Sequence, residues 1–241
     1  ISDLIKEDDL VLVTGGAKGI TFEHALALSR ILHCRFVLVG STKSEDIYKT
    51  GSETAKNLAR LKENAKEVEY YSCDLSDRAE TRKIIKEIIK NHGNFAGILH
   101  GAGISNYALF KDMKKSSFDK CLAVKVYSLL NILPLCGTGN LKFVHLISSV
   151  LAKTGMRMQA DYTFANSWLD YLCLLLNKMN IPAKSIGYTV WNETGMGKKD
   201  NVLEYLKSVG VVPLSTHDGI EAYEKIINSD SRISVVTGRL A

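Results

Sequence analysis

Residues 10–20 read Leu-Val-Leu-Val-Thr-Gly-Gly-Ala-Lys-Gly-Ile, and this stretch decides the fold. The apolar run is typical of a strand covered on both faces, and the residues that follow have the pattern of a helix. Glycines at such a turn let the backbone approach a pyrophosphate, whose charge then lies at the positive end of the helix. The residues assigned to this contact are Thr14, Gly15, Gly16, Ala17, Lys18, Gly19 and Ile20.

Short β-rich runs alternate with longer helical patterns along the rest of the chain. The predicted strands are Leu10–Thr14, Arg35–Gly40, Glu67–Ser72, Ala96–His100, Lys142–Ser148, Ala183–Val190 and Ile233–Thr237. The predicted helices are Ile20–Leu32, Glu53–Asn64, Asp77–Asn91, Lys114–Leu133, Tyr162–Asn180, Asn201–Ser208 and Thr216–Asn228. This alternation predicts an α/β fold of one domain over residues 1–241, a Rossmann-like, doubly wound, parallel seven-stranded sheet with helices on both faces.

Composition and charge exclude several classes of protein. The hydrophobic fraction of 46% and the charged fraction of 24% are typical of a globular protein. The net charge is only +5, and basic and acidic residues are interspersed, as in residues 56–67. We therefore expect solvated helix faces and no nucleic-acid partner.

Cysteines and apolar segments indicate the compartment. The five cysteines lie far apart in apolar segments, which favours buried free thiols in a reducing environment. Neither cysteines nor histidines have the spacing of metal ligands, so we expect no metal site. The N-terminus lacks a signal-peptide pattern, and the most apolar stretch, Leu169–Leu176, is too short to cross a membrane. We expect a cytoplasmic protein with no membrane contact.

The end of the second predicted strand indicates which nicotinamide cofactor binds. A site for NAD usually has Asp or Glu here to bind the ribose 2′-hydroxyl, but Ser41, Thr42 and Lys43 precede the first acid, Glu45. These residues, together with Lys18, suit the additional phosphate of NADP, so NADPH is favoured. Alternatively, the two lysines are solvated surface residues.

Two further turns complete the predicted cofactor site. After the third strand come Cys73, Asp74 and Leu75, where a carboxylate can accept a hydrogen bond from the adenine amino group. Asp74 can equally cap the next helix. After the fourth strand, small residues let a cofactor pass close to the backbone, and the assigned residues are His100, Gly101, Ala102 and Gly103.

The catalytic candidates are Ser149, which follows the fifth predicted strand, and Tyr162, 13 positions later. Tyr162 and Asn166 are four apart and so share one helix face. With the glycine-rich turn, this order resembles the short-chain dehydrogenase/reductase superfamily, whose usual pattern is Tyr-x-x-x-Lys. Here Asn166 replaces the lysine, while Lys125 lies upstream. This exchange resembles the ketoreductase domains of polyketide synthases, and the likeness extends over the whole chain.

The resemblance implies a role for each candidate. Tyr162 would be the general acid, because a phenol holds its proton at neutral pH. Ser149 would orient and polarise the ketone, and Lys125 would lower the pKa of Tyr162 and bind the nicotinamide ribose. Asn166 would position Lys125 or an ordered water. Singly, Ser149 could instead be a helix cap, Tyr162 a packing residue and Lys125 a surface lysine.

The resemblance also implies a segment beside the nicotinamide, with Thr194, Gly195 and Met196, and a substrate lid over residues 190–215. Four departures stand out. Thr21 replaces a common glycine, which predicts looser packing at the helix start. Ser41 lies where Arg often binds the 2′-phosphate. Residues 105–107 lack the Leu-Asp-Asp signature of one stereochemical class, and Thr154 replaces the tryptophan of the other. The handedness of the product stays open.

The function implied by the resemblance is reduction of a β-ketoacyl group, bound to an acyl carrier protein, within a larger synthase with neighbouring domains. One alternative is a free-standing reductase of small carbonyls, which the Lys125/Asn166 exchange disfavours. Another is a cofactor-binding domain without turnover, which the presence of Ser149, Tyr162 and Lys125 disfavours.

Overall fold

The computed structural model describes residues 1–47, 49, 51–137, 139–195 and 211–238. Its sheet has seven parallel strands in the order β3-β2-β1-β4-β5-β6-β7. The strands are β1 (Leu10–Thr14), β2 (Arg35–Gly40), β3 (Glu67–Ser72), β4 (Phe95–His100), β5 (Phe143–Ser149), β6 (Ala183–Tyr188) and β7 (Ile233–Val236). The predicted doubly wound parallel sheet is confirmed.

The central strands are apolar throughout because each of their two faces supports a separate core. Side chains alternate along a strand, so Val11 and Val13 pack into one hydrophobic layer while Leu10 and Leu12 pack into the other. All four are at most 2% exposed. The five cysteines are buried and unpaired, as predicted.

Helices cover both faces of the sheet. They are α1 (Gly19–Leu32), α2 (Ser44–Ile47), α3 (Glu53–Lys62), α4 (Arg78–His92), α5 (Lys115–Leu122), α6 (Ser128–Ile132), α7 (Leu151–Thr154), α8 (Ala160–Lys178) and α9 (Thr216–Ile227). Caps account for several starts: the Asp77 carboxylate accepts hydrogen bonds from the backbone N–H groups of Ala79 and Glu80 at the start of α4. In the part of the chain that the structure describes, no helix is long and apolar enough to cross a membrane.

One segment that was predicted to be a single helix is not continuous in the structure. The segment Lys114–Leu133 is interrupted by a π-helical turn over Ala123–Tyr127, which separates α5 from α6. The Lys125 carbonyl in this turn accepts a hydrogen bond from His100 Nε2 at 2.8 Å, so part of its bonding lies outside the helix. The other predicted elements that fall on described residues match the observed bounds to within two residues, whereas the short helices α2 and α7 were not predicted. The predicted helix 201–208 lies outside the described residues.

The parallel arrangement gathers the carboxyl ends of the strands at one edge. Strand β1 pairs with both β2 and β4. The strands β2 and β3 extend the sheet on one side of β1, and the strands from β4 to β7 extend it on the other side, so the strand order reverses between β1 and β4. Ligands bind at such a switch point in open α/β sheets because adjacent loops separate there.

Candidate active site

A cavity of about 980 Å³ opens at the carboxyl ends of β1, β4, β5 and β6. It brings together residues that are up to 223 positions apart in the sequence (Gly15 and Gly238). The predicted site residues that line it are Gly15, Lys18, Gly19, Ile20, Gly101, Gly103, Lys125, Ser149, Tyr162, Thr194 and Gly195. The phosphate-binding turn and the catalytic candidates therefore share one cavity.

Lys125 and Tyr162 converge inside this cavity. Lys125 is 3% exposed, its Nζ lies 5.4 Å from the centre of the Tyr162 ring, and it donates a hydrogen bond to the Ile147 carbonyl at 3.1 Å. A Cβ at Gly103 would lie 3.2 Å from the same Nζ, so the glycine makes room for the ammonium group. Lys125 is a buried residue aimed into the site and not a surface lysine.

Burial dominates the ionisation of both groups. It raises the pKa of Tyr162 to about 12. It lowers the pKa of Lys125 to about 8. Burial is the largest cause of both shifts, and the expectation that Lys125 lowers the pKa of Tyr162 stays a prediction. Tyr162 holds its proton at neutral pH.

Ser149 and Asn166 are positioned by their own elements. Ser149 ends β5, and its Oγ accepts a hydrogen bond from the Leu151 N–H at 3.2 Å, which leaves its hydroxyl proton free. Asn166 is fully buried and donates to the backbone carbonyl of Tyr162 at 2.7 Å. Its Oδ1 has no hydrogen-bond partner among the described residues. Asn166 thus contacts Tyr162, and no hydrogen bond joins it to Lys125.

His100 supports the site from behind and does not line the cavity. Its Nε2 can only donate to the Lys125 carbonyl, so its Nδ1 accepts the hydroxyl proton of Thr14 at 2.7 Å. Burial lowers the pKa of His100 to about 4, which keeps this tautomer neutral. His100 therefore ties the end of β1 to the turn that carries Lys125.

The glycine-rich turn is packed tightly against the turn after β4. Gly15 has φ +72°, and a Cβ there would lie 2.8 Å from the backbone of Ala102. A Cβ on Gly101 would lie 1.9 Å from Thr21 Oγ1. The looser packing predicted from Thr21 is wrong, since Thr21 is 5% exposed and its side chain fills the space that Gly101 leaves.

The residues assigned to the adenine end lie outside this cavity. Cys73 and Leu75 are buried, whereas Ser41, Lys43 and Asp74 are exposed. Asp74 Oδ1 accepts hydrogen bonds from the backbone and hydroxyl of Ser76, and the pKa of Asp74 is lowered by them. Asp74 thus shapes its own turn, while Asp77 caps α4. Four other assigned residues are buried and do not line the cavity: Thr14, Gly16, Ala17 and Ala102. The backbone N–H of Thr42 donates a hydrogen bond to the Tyr70 hydroxyl at 3.1 Å.

The charges of Lys18 and Lys43 both affect the ionisation of one carboxyl group, that of Asp46. The pKa of the Asp46 carboxyl is lowered by its hydrogen bond from Lys49 and further by the charges of Lys43 and Lys18. Two lysines from different turns therefore lie near the same carboxylate. Both are exposed, so each is also free to remain a solvated surface residue.

Residues after β6 form a wall of the cavity that sequence reasoning did not assign. Tyr188, Thr189 and Val190 line the cavity just before the predicted nicotinamide segment. Their position at the carboxyl end of a parallel strand is a signal that could have found them. Met196 and most of the predicted lid, residues 196–210, lie outside the described residues. Trp191 and Leu214, which lie near the two ends of the predicted lid over residues 190–215, form an isolated parallel β-bridge.

A buried pair of side chains supports this wall. His24 Nδ1 donates to the Ile20 carbonyl and so its Nε2 accepts the Tyr188 hydroxyl proton, both at 2.7 Å. Burial lowers the pKa of His24 to about 4. The pair links helix α1, which starts at the glycine-rich turn, to the wall after β6.

Among the described residues, one group has the composition of metal ligands: Glu67, Glu69 and His92. It lies on edge strand β3 and the end of α4, away from the residues that line the cavity. Arg35 Nε pairs with Glu67 Oε2 at 2.6 Å, so a guanidinium already supplies positive charge there. We assign this group to an ion-pair network.

Comparisons with known proteins agree with this geometry. The model of the KR (ketoreductase) domain family matches residues 10–193. The chain belongs to the KR domain family. A ketoreductase domain from the bacillaene assembly line superposes with a TM-score of 0.85 and 28% identity, and an N-terminal ketoreductase from the macrolactin assembly line with 0.83 and 27%. Polyketide synthase PksL of Bacillus subtilis is 28% identical over 241 residues. The resemblance inferred from the sequence is confirmed.

These relatives are longer than this KR domain. The match covers 95% of this chain but 5% of PksL. It covers 98% and 99% of this chain but 58% and 46% of the two solved ketoreductase chains. The chain thus spans about half the length of these solved relatives.

Proposed function

We propose that this KR domain uses NADPH to reduce the ketone of a β-ketoacyl thioester, carried by an acyl carrier protein, to the β-hydroxyacyl product. The single observation that carries the proposal is the convergence of Tyr162, Lys125 and Ser149 on a cavity that continues to the glycine-rich turn. Hydride delivery to the carbonyl carbon leaves charge on the oxygen, and in this proposal these three side chains stabilise that charge.

Tyr162 is the proton donor in this proposal. Its pKa of about 12 keeps the phenol protonated at neutral pH, and its proton passes to the carbonyl oxygen as the hydride reaches the carbon. Ser149 has a free hydroxyl proton that donates to the same oxygen, because its Oγ lone pair already accepts from Leu151. Asn166 holds the backbone of Tyr162 and so orients the phenol.

Lys125 is a positioning and electrostatic group. One of its three N–H donors is used by the Ile147 carbonyl, which leaves two for a ribose hydroxyl and the phenol. With a pKa of about 8, most of its population is charged at neutral pH, so it favours the developing phenolate once the proton has left Tyr162.

The residues present fit a nicotinamide dinucleotide. Gly15 and Gly19 have positive φ and leave open backbone beside the start of α1, which suits a pyrophosphate. The bound cofactor supplies the hydride. Lys18 and Lys43, which act on one point near Asp46, would hold the additional phosphate of NADPH.

The carrier-bound substrate and the neighbouring domains are supported by context. The relatives named above are polyketide synthases or parts of assembly lines, and this chain matches a small part of each synthase. We propose that the chain acts as the reductase portion of such a synthase. Its cytoplasmic location stays a prediction.

The test uses a β-ketoacyl thioester as substrate and measures the rate of NADPH oxidation by absorbance. We expect turnover with the thioester to exceed turnover with simple cyclic ketones, since a free-standing reductase of small carbonyls would show the opposite preference. Binding of NADPH without turnover of either would contradict the proposal and favour a cofactor-binding domain.

A further inference from the structure

Two loops flank the mouth of the cavity and expose an unusual combination of side chains. We call this the mouth surface, and it consists of Tyr107, Phe110, Lys111, Lys114, Arg157 and Met158. Tyr107 and Met156 also line the cavity, so the surface adjoins the path by which a substrate enters.

The two loops are joined to each other, which makes the surface a preformed one. Ser105 Oγ donates to Gln159 Oε1 at 2.7 Å, and Gln159 is 2% exposed. The backbone N–H of Ala108 donates to the Met158 carbonyl at 3.1 Å. These bonds hold the loop after β4 against the loop before α8.

The apolar members are unusually exposed. Phe110 is 78% exposed, the highest value among the large hydrophobic side chains described, and Tyr107 is 56% and Met158 40% exposed. A solvated aromatic ring forgoes the free energy of burial, about 25 cal/mol per Å² of apolar surface. Single exposed residues are ordinary, but a cluster beside a substrate entrance indicates a binding surface.

The charged residues of the mouth surface make its net charge positive. Lys111, Lys114 and Arg157 are exposed and form no ion pair with any described residue, whereas neighbouring Lys115 pairs with Asp119. The acid between them in sequence, Asp112, leaves a net charge of about +2 at neutral pH. A partner for this surface must therefore present carboxylates around a small apolar contact.

We propose that the mouth surface docks the acidic face of the acyl carrier domain that presents the thioester to the cavity. This inference rests on the proposed function for the delivery of substrate, but its location rests on the exposed residues themselves. Phe110 and Met158 bury apolar area against the carrier, and the three cations set its orientation. The attached acyl group then lies next to Tyr107 at the cavity entrance.

The test compares two forms of one β-ketoacyl thioester, carried either by a polyketide-synthase acyl carrier domain or by a small diffusible thiol. For the triple variant Lys111→Glu, Lys114→Glu, Arg157→Glu we expect kcat/KM to fall about tenfold on the carrier-bound form alone. Phe110→Ala should act in the same direction. Direct binding of the carrier domain, read by fluorescence anisotropy, should weaken by a similar factor.

Matched controls separate docking from general effects of charge. Lys83→Glu, Lys86→Glu, Lys90→Glu changes the same charge on exposed positions of α4, and Tyr171→Ala removes an exposed ring from α8. Both should leave the ratio of the two substrates unchanged. An equal loss on both substrates, or no loss of carrier binding, would overturn the docking proposal. If wild-type protein reduces neither thioester, the proposed function fails, while the binding measurement still decides the docking surface.

Discussion

The catalytic candidates lie in the protein interior, whereas the polar side chains assigned to the adenine end of the cofactor site lie on the surface. Lys125 and Ser149 are nearly buried, and each contacts backbone from another element. Ser41, Lys43 and Asp74 are exposed, and the hydrogen bonds of Asp74 are local to its own turn. The catalytic candidates are thus held by tertiary packing, while the candidates for the contact with the 2′-phosphate are exposed polar and charged side chains.

This difference has an energetic consequence. In the buried half, desolvation shifts pKa values by about two units or more, and close packing makes small changes costly. On the exposed half, solvent screens each charge, so single substitutions have small effects. Changes in the two halves should therefore differ in size in a predictable order.

The largest effect should come from Tyr162→Phe. Removal of the proton donor should lower kcat by about 10³-fold, the order expected for a general acid, with little change in NADPH binding measured by fluorescence. Tyr171→Phe, on the exposed side of the same helix, is the control and should retain activity. Loss of NADPH binding in the first variant would refute the assignment of its role.

The second largest effect should be a loss of folding stability at acid pH, through the buried His24. The pKa of His24 is about 4 in the folded state and 6.5 when unfolded, so the unfolded chain binds more protons as the pH falls below 6.5. Stability present above pH 6.5 should fall by about 3 kcal/mol on approach to pH 4 through His24 alone. Denaturant unfolding at several pH values measures this. His24→Phe should remove the part of this decline that is due to His24 and leave the part due to the buried His100, while the exposed His217→Gln should leave the profile unchanged.

Packing of the glycine-rich turn provides the third test. Gly101→Ala should destabilise the protein by about 2 kcal/mol, because the new Cβ would overlap Thr21. The double variant with Thr21→Gly should recover most of the loss, whereas Gly139→Ala, which has open space around it, should be nearly neutral. Additive losses in a double-mutant cycle would show that the two positions are independent.

The pH dependence of catalysis tests Lys125. Its ammonium is lost as the pH rises through about 8, since burial lowers its pKa, so kcat/KM should fall about tenfold per pH unit above that value. Lys125→Met should have low activity and no such decline. A wild-type profile that stays flat to pH 10 would exclude a requirement for the charged lysine.

The smallest effect should be on the exposed half. Lys43→Ala and Lys18→Ala should each lower the preference for NADPH over NADH about threefold, the size expected for an exposed ion pair. Lys178→Ala, an exposed lysine at the end of α8, should leave the preference unchanged. An effect of a hundredfold would show that the 2′-phosphate is bound in a far less solvated environment than these side chains have now.

Much of the buried half was readable from residue order. The order of the glycine-rich turn, Lys125, Ser149 and Tyr162 predicted the site through the resemblance to a family, and these residues line one cavity in the structure. The support from His100 and His24 was not readable, since His100 bonds to Lys125 and His24 to Tyr188, which lie 25 and 164 positions away in the chain. The π-helical turn was also missed, and its Lys125 carbonyl bonds to His100, which is distant in sequence.

By itself the sequence determined the α/β alternation and the parallel sheet, because periodicity and glycine positions are local properties of the chain, and the order of its motifs carried the resemblance to the family. Only the tertiary structure decided how Lys125 and Tyr162 ionise, since burial by distant residues controls desolvation. It also decided that Thr21 is well packed and that Phe110 and Met158 belong to one exposed surface, since both facts depend on which segments meet in space.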